Sequence, residues 1–239
     1  MLILKKWLIL FMKNNLIKYI IYIGLVFCTD ETLIYDLNFM GVKAGETVLS
    51  IKKDSLNANS IYHLKSTTRT NSFVDKLYKI RDEIDILFNQ NDFSTIQVIK
   101  KINQNGKRKL FKSIIDYDSL KAISNNKTIK INGQVLDPLS AIYYLRNQEI
   151  KISDIFEFIT YDNDKLKEVR VVAKNIEMIS TPSGDYECIV VVPEGKNGKL
   201  LRNKGSMKVW FSNNLSKFPV KIEHITKSGT MTMILKDIQ

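Results

Sequence analysis

The chain has 239 residues, of which 44% are hydrophobic and 26% are charged, and it contains only 10 Gly and 4 Pro. This composition excludes a disordered or fibrous protein and predicts a globular fold with a substantial core. The cysteines Cys28 and Cys188 are too few for a disulfide framework, and the lack of a Cys-x-x-Cys pair excludes a zinc knuckle.

The formal net charge of +11 is partly concentrated at the N-terminus. Lys5, Lys6, Lys13 and Lys18 all precede the first acidic residue, Asp30, so the rest of the chain has 32 basic and 25 acidic residues, a net charge of +7. Lys, Ile and Asn are common throughout, which indicates compositional drift as one source of the basicity. A basic surface that faces an anionic membrane or polymer is the alternative.

Residues 1–28 have the pattern of an export signal. From Met12, a candidate true start, a short basic stretch is followed by an apolar stretch that ends at Cys28. Neither apolar stretch in this region reaches the ~20 residues that a membrane-spanning helix needs. We therefore predict a signal peptide or lipoprotein-type signal over residues 1–28 and a single β-rich domain over residues 29–239.

Cys28 is the candidate lipid attachment site, because the segment resembles a bacterial lipoprotein signal in which a cysteine thiol is acylated. Phe27, however, is bulky where such signals have a small residue. Three outcomes stay open: lipidation at Cys28, ordinary cleavage nearby, and retention as an uncleaved anchor. All three predict an exported protein, in the periplasm or at the outer membrane of a bacterial envelope.

From Leu33 onward, apolar residues alternate with polar ones and turn residues recur at short intervals. The strongest hairpin signal is Asn105-Gly106, between predicted strands 93–103 and 107–117. Residues 119–132 are polar and poorly patterned and are predicted to form a mobile connection. The whole pattern predicts a mainly β fold of about eleven strands with one or two short helices. A large curved antiparallel sheet or open barrel is expected, since a flat sheet would leave long exposed edges.

One segment differs from the strands around it. Asp137 is suited to cap a helix and Pro138 to occupy its first position. The residues that follow share a broad apolar face, which predicts a helix over 139–146. A curved sheet has a concave side, and this helix is the natural plug or lid for it.

Four side chains are candidates for ligand contact. Tyr143, Tyr144 and Arg146 belong to the predicted lid, and Trp210 lies in a predicted strand between two apolar residues. Arg146 is expected either to pair with a buried carboxylate or to reach an anionic group of a ligand. Trp210 is expected either to pack in the core or its rim, or to form a binding platform.

No catalytic constellation is visible, so the chain is predicted not to be an enzyme. His63 and His224 are the two histidines, both lie mid-strand, and no Gly-x-Ser-x-Gly motif exposes a serine. The same shortage of ligands predicts no metal and no cofactor. Carboxylates on strands leave a carboxylate-dependent hydrolase of envelope polymers as a weaker alternative.

A basic hairpin is predicted around the Asn105-Gly106 turn, with Lys100, Lys101, residues 107–109 and Lys112. It lacks the interleaved exposed aromatic residues of a nucleic-acid module, so no nucleic-acid partner is expected. Contact with the anionic headgroups of a membrane surface is the functional alternative to a solvated edge.

Several blocks, in their order and spacing, resemble a bacterial family of secreted proteins, domain-of-unknown-function family 3108. The blocks are residues 35–45, 137–146, 184–188 and 209–212, the last running on to 219–222. The resemblance implies an envelope-located β-rich domain, related in architecture to the half-barrels of lipoprotein carriers, with no established activity. The turn at Asn213-Asn214 is acidic in that family, so no charge role is carried over to it here.

These features predict a non-catalytic cell-envelope protein that binds or carries a hydrophobic or amphipathic molecule, such as a lipid, in a curved β-sheet. The alternative is an envelope assembly or structural factor that acts by protein contact, for example through an exposed strand edge. A continuous apolar cavity would favour the carrier, whereas a filled core would favour the assembly factor.

Overall fold

The strands of the protein pair into one antiparallel sheet. A computed structural model describes residues 30–56, 59–194, 207–225 and 229–239. Within these residues there are 14 strands, a short 3-10 turn at Val74–Lys76 and one α-helix, α1 (Pro138–Arg146). The strands are β1 (Asp30–Phe39), β2 (Val42–Leu56), β3 (Asn59–Thr70), β4 (Arg81–Asn89), β5 (Thr95–Gln104), β6 (Lys107–Asp116), β7 (Lys121–Ser124), β8 (Thr128–Lys130), β9 (Ile155–Asp162), β10 (Lys165–Thr181), β11 (Gly184–Pro193), β12 (Met207–Ser212), β13 (Pro219–Ile225) and β14 (Thr230–Ile238).

The sheet has a simple order with β1 and β14 side by side near its middle. From β1 the strands run outward in sequence to the edge strand β8, and from β14 they run back to the edge strand β9. Every neighbouring pair is antiparallel, as expected for strands joined by hairpins. The prediction of a large curved antiparallel sheet is confirmed, with more strands than the expected eleven or so.

The Asn105-Gly106 hairpin is confirmed. Both residues have positive φ, 48° and 79°, as a two-residue turn between twisted strands requires. In place of the mobile connection predicted at 119–132, this segment contains strands β7 and β8. These strands are short, and Ala122 of β7 and Ile131, directly after β8, are fully buried in a cluster that includes Tyr161 of β9.

Helix α1 begins and ends as the sequence predicts. The Asp137 side chain accepts a hydrogen bond from the Leu139 N–H, and Pro138 occupies the first turn. The apolar side of the helix packs into the curved sheet, where Ile142 and Leu145 join the largest buried cluster. The helix therefore plugs the sheet from within.

The two ends of the sheet differ. At the plugged end, where β1 begins, Arg146 of α1 reaches both Glu31 and the turn at Ser216. The opposite end, called the open end here, carries the Met40-Gly41 turn, residues 71–80 and the Asn105-Gly106 turn. Hydrogen bonds tie these segments together, since the Asn71 N–H donates to the Ala44 oxygen (2.8 Å) and the Asn105 N–H donates to the Lys79 oxygen (2.7 Å).

Both edges of the sheet leave few unpaired backbone N–H and C=O groups exposed. The edge strand β8 has three residues. The other edge strand, β9, is bridged in parallel by Leu136, whose N–H donates to the Ile159 oxygen at 2.9 Å. On the far side of this bridging segment, the Thr95 N–H of β5 donates to the Val135 oxygen at 2.9 Å. The segment thus fills the gap between β9 and β5 in a sheet whose ladder does not close.

No helix among the described residues is long and apolar enough to cross a membrane.

Gly45 of β2 lies where the sheet leaves no room for a side chain. The β1–β2 register shifts here, leaving Ala44 as the extra residue of a bulge. A Cβ atom on Gly45 would lie 2.0 Å from the Arg69 carbonyl oxygen of β3.

Gly45→Ala is therefore expected to lower the free energy of unfolding by about 1–3 kcal/mol in urea titrations. Ser50→Ala on the same strand is the control and should change it by less than about 0.5 kcal/mol; equal effects would contradict the packing described.

Candidate functional site

A large cavity occupies the concave side of the sheet. Its volume is about 1620 Å³. It is lined by β1–β5, by β9–β14 and by the inner face of α1. It reaches the surface toward the open end, because exposed residues such as Tyr78 and Leu166 are part of its lining.

The wall of the cavity is mainly apolar and comes from every side of the curved sheet. Alternate residues of most of these strands point inward, so one face of the sheet supplies most of the lining. The β9–β10 hairpin is the exception, because it contributes consecutive residues. The apolar lining includes Leu37, Phe39, Leu49, Ile84, Ile102, Leu139, Ile142, Phe158, Val169, Val191, Met207, Val209, Met231 and Met233. The three methionines lie together at the open end and provide a deformable surface.

A few polar groups interrupt the apolar wall. The hydroxyls of Thr47 and Thr68 are 3.0 Å apart and satisfy each other. The Asp82 carboxylate accepts hydrogen bonds from the Asn103 N–H (2.9 Å) and from Gln104 Nε2 (2.6 Å). Burial raises the pKa of Asp82 even though these two hydrogen bonds oppose the shift.

Lys100 of β5 is the cation buried in the cavity wall. Its Nζ lies 2.8 Å from Asp137 Oδ2 and 2.6 Å from Asp162 Oδ1, so it links the start of α1 to the end of β9. Burial would lower the pKa of Lys100, but the two carboxylates outweigh it and the pKa is raised. Through these two ion pairs, Lys100 links three elements that are distant in sequence.

The β9–β10 hairpin forms one side of the mouth. Arg170 lies 2.6 Å from Glu157 and 3.4 Å from Glu194, and Lys174 lies 3.3 Å from Glu194. Strand β10 also contacts β13 and β14. Burial lowers the pKa of His224 in β13, with Asp162 raising it and Lys167 lowering it. His224 thus lies within the electrostatic reach of the hairpin on the other side of the mouth.

The sequence of nearly the whole described fold matches the model of one protein family. A family model described as "Protein of unknown function (DUF3108)" matches residues 34–236. The chain belongs to this family. The match spans β1 to β14 and so includes every strand that lines the cavity, and it confirms the resemblance found in the sequence blocks.

The fold is similar to that of a solved structure. It is the crystal structure of a beta-barrel-like protein of domain of unknown function DUF1849 from Brucella abortus, with a TM-score of 0.57 and 12% sequence identity. The alignment covers 90% of this chain and 99% of that chain. No curated protein matches the sequence. The structural similarity supports the curved, barrel-like sheet of this family member and carries no statement about activity.

The sequence-predicted candidates lie in the packed parts of the molecule and not in the cavity lining. Tyr143 is buried against Phe88, with ring centroids 6.5 Å apart. Tyr144 packs edge-on against Phe158 at 5.8 Å, behind the cavity wall. Cys28 lies outside the described residues. Acylation at Cys28 stays a prediction, and so does contact of the four other candidates, Tyr143, Tyr144, Arg146 and Trp210, with a ligand.

Arg146 forms a buried ion pair. Its guanidinium donates to both carboxylate oxygens of Glu31, at 2.5 and 2.7 Å, and its Nε donates to the Ser216 oxygen at 2.8 Å. The guanidinium also stacks over the Phe218 ring at 4.9 Å. Of the two alternatives for Arg146, the structure shows the pairing with a buried carboxylate.

Trp210 is buried on the opposite face of β12 from the cavity residue Val209. Its Nε1 donates to Glu177 at 2.7 Å, and the Nζ atoms of Lys208 and Lys221 each lie 4.2 Å from its ring centroid. The ring is therefore already covered by two cations and packed against the core.

The predicted basic hairpin is divided between two faces. Lys100 turns inward to its carboxylates, whereas Lys101 pairs with Glu83 at 3.4 Å on the outside. Residues 107–109, at the start of β6, are exposed. Sequence reasoning identified the hairpin but missed the inward lysine, although alternation along a strand already places adjacent lysines on opposite faces.

Four of the carboxylates that line the cavity form two pairs, and each pair is bridged by a cation. Asp137 and Asp162 flank Lys100, and Glu157 and Glu194 flank Arg170. The other histidine, His63, pairs with Asp85 on the sheet at a distance from this lining. Cys188 is fully buried, and burial raises the pKa of its thiol to about 11, so the thiol is protonated and unreactive.

Proposed function

We propose that this protein is a non-catalytic carrier of the cell envelope that holds an amphipathic molecule with a long hydrocarbon portion in the cavity of its curved sheet. The observation that carries the proposal is the apolar cavity of about 1620 Å³. The export pattern of residues 1–28 supports the envelope location.

The size of the cavity argues for an occupant. Protein interiors are close-packed and contain few voids larger than a water molecule. Pockets for small ligands are usually about 300–1,000 Å³, and this cavity exceeds that range. A space of this size with a mainly apolar wall gives water few hydrogen-bond partners, so a hydrocarbon chain is the occupant that best satisfies it.

The layout of the cavity favours an amphipathic molecule over a purely apolar one. Apart from the Lys100–Asp137 ion pair at the start of α1, the inner wall near the helix is formed mainly by aliphatic and aromatic residues, among them Leu49, Ile142 and Phe158. Toward the open end, the lining includes the polar groups of Gln104, His224 and Lys167. The hydrocarbon portion would lie inside and the polar portion at the mouth.

The binding test uses two neighbouring threonines of β3. Thr68 lines the cavity, whereas Thr67 lies on the other face of the same strand. Thr68→Trp is expected to fill part of the cavity and to weaken binding of a fluorescent long-chain fatty acid by about tenfold or more, ~1.4 kcal/mol. Thr67→Trp, the matched control, should bind as the native protein does. Fluorescence titration of both variants, with circular dichroism to verify folding, measures the difference.

A series of fatty acids of increasing length gives a second readout. Each methylene that enters the cavity should lower the Kd up to about fourfold, which corresponds to ~0.8 kcal/mol. Affinity independent of chain length, or equal loss in Thr68→Trp and Thr67→Trp, would contradict the proposal.

A further inference from the structure

Large apolar side chains are exposed together at the open end. Phe73 and Leu77, on either side of the short 3-10 turn, are 68% and 75% exposed. Met40 and Val42, at the β1–β2 turn, are 70% and 61% exposed. Isolated exposed apolar residues are ordinary, but a group on adjacent turns indicates an interaction site.

The hydrogen bonds of the open end hold these turns next to one another. The side chain of Asn71 donates to the Lys43 oxygen at 3.1 Å, which fixes residues 71–80 to the β1–β2 hairpin. The Tyr78 hydroxyl lies 3.4 Å from the side chain of Gln104, which joins the same segment to β5. The apolar tips therefore project from a fixed platform formed by three turns.

Cations surround these apolar tips. Lys76, Lys79, Lys107 and Arg108 are all exposed, and none forms an ion pair with a described carboxylate. The acidic neighbour Asp75 is already bound by Arg81 through two hydrogen bonds, at 2.5 and 3.0 Å. The surface therefore carries uncompensated positive charge between its apolar tips.

We propose that this end, formed by Met40, Val42, Phe73 and Leu77 with Lys76, Lys79, Lys107 and Arg108, docks onto an anionic phospholipid bilayer. The apolar tips would enter the interface between headgroups and acyl chains, and the cations would contact the lipid phosphates. A protein partner would not require this excess of unpaired cations around exposed tips. Val74 and Tyr78, which alternate with these residues, line the cavity, so docking places the cavity mouth against the bilayer.

This surface is distinct from any attachment through the N-terminus. The described chain begins at Asp30, at the plugged end of β1, and the open end lies ten residues farther along that strand, about 30 Å away. Insertion of residues before Asp30 would not bring Leu77 into lipid. A probe at Leu77 consequently reports docking of the open end alone.

The experiment places an environment-sensitive fluorophore on Leu77→Cys in the full chain carrying Cys28→Ser, with Cys188 protected by its burial. Vesicles of phosphatidylglycerol and phosphatidylcholine are expected to shift the emission to the blue and to shield the label from an aqueous quencher. Phosphatidylcholine vesicles should give little response, and added salt should weaken the response by screening the cations. The matched control is a label on Leu215→Cys, which is 92% exposed in the turn between β12 and β13 at the plugged end.

The charge contribution is measured with two double variants of equal net charge. Lys76→Gln/Lys79→Gln should lower vesicle affinity about 30-fold, since each lysine near an anionic surface contributes about fivefold. Lys121→Gln/Lys130→Gln, on β7 and β8, should leave it nearly unchanged. A label at Leu77 that stays exposed to water, an equal response to neutral vesicles, or a response that grows with protein concentration without vesicles would each overturn the proposal. Fatty-acid binding in the cavity is measured separately and does not depend on these outcomes.

Discussion

Arg146→Met is expected to lower the free energy of unfolding by about 3–5 kcal/mol. The substitution keeps most of the apolar volume of the side chain but removes both hydrogen bonds to Glu31 and the bond to the Ser216 oxygen. Glu31 is 5% exposed, so its charge would remain buried without its partner. The pair also joins α1 to β1, and its loss should loosen the plug of the cavity.

The control for Arg146→Met removes the Glu31 carboxylate together with the Arg146 guanidinium. Glu31→Met/Arg146→Met is expected to recover most of the lost stability, since replacing a buried ion pair by apolar residues is often close to neutral. Urea unfolding of the native protein and both variants measures the effect. A loss below about 1 kcal/mol in Arg146→Met would place the pair among weak surface ion pairs and contradict its burial.

Lys100→Met is expected to have a similar effect, about 3–5 kcal/mol, for the same physical reason. Asp137 is 1% exposed, and without Lys100 its carboxylate would keep only the bond from Leu139 that caps α1. The adjacent substitution Lys101→Met is the matched control. It breaks an exposed pair with Glu83, which is worth about 0–1 kcal/mol. Equal effects of the two substitutions would contradict the inward orientation of Lys100.

The pKa of Lys100 determines how its contribution to the free energy of unfolding depends on pH. The pKa of Lys100 is raised in the folded protein, so its stabilising effect is complete below the ordinary lysine pKa of ~10.4 and is lost only as the pH rises through the raised value. The difference in stability between the native protein and Lys100→Met should therefore be maintained at neutral pH and shrink as the pH rises through the raised pKa of Lys100.

The local features of the fold could be predicted because they depend on neighbouring residues. The alternation of apolar residues gave a sheet, Asn105-Gly106 gave its tightest hairpin, and Asp137-Pro138 gave the start of the helix. The strands β7 and β8 were missed because they have four and three residues, too short for a period-two pattern. What stabilises them is burial against Tyr161, a contact distant in sequence.

The candidate site could be predicted only in outline. A curved sheet with an inner helix was expected to have a concavity, but the sequence does not tell which aromatic residues face a cavity and which face the core. Tyr143 and Tyr144 lie on a helix whose sides are almost all packed, so they contact other rings. The partners of Lys100 come from β9 and from the start of α1, and local sequence carries no signal for such pairs.

The sequence also does not tell that the apolar side chains at the open end are exposed. Apolar residues spaced four apart beside a helical turn, as Phe73 and Leu77 are, normally pack inward. Instead they project outward, because the cavity is lined at this point by Val74 and Tyr78. Only the three-dimensional arrangement distinguishes a core residue from a surface one here.

Native mass spectrometry of the protein, purified from bacterial membranes without added detergent, shows directly whether the curved sheet holds an amphipathic molecule. We expect a folded species heavier than the polypeptide by the mass of a bound amphipathic molecule. This molecule should be released on unfolding and be largely lost from Thr68→Trp but not from Thr67→Trp. A folded protein of bare polypeptide mass that also fails to take up added long-chain fatty acid would contradict this expectation.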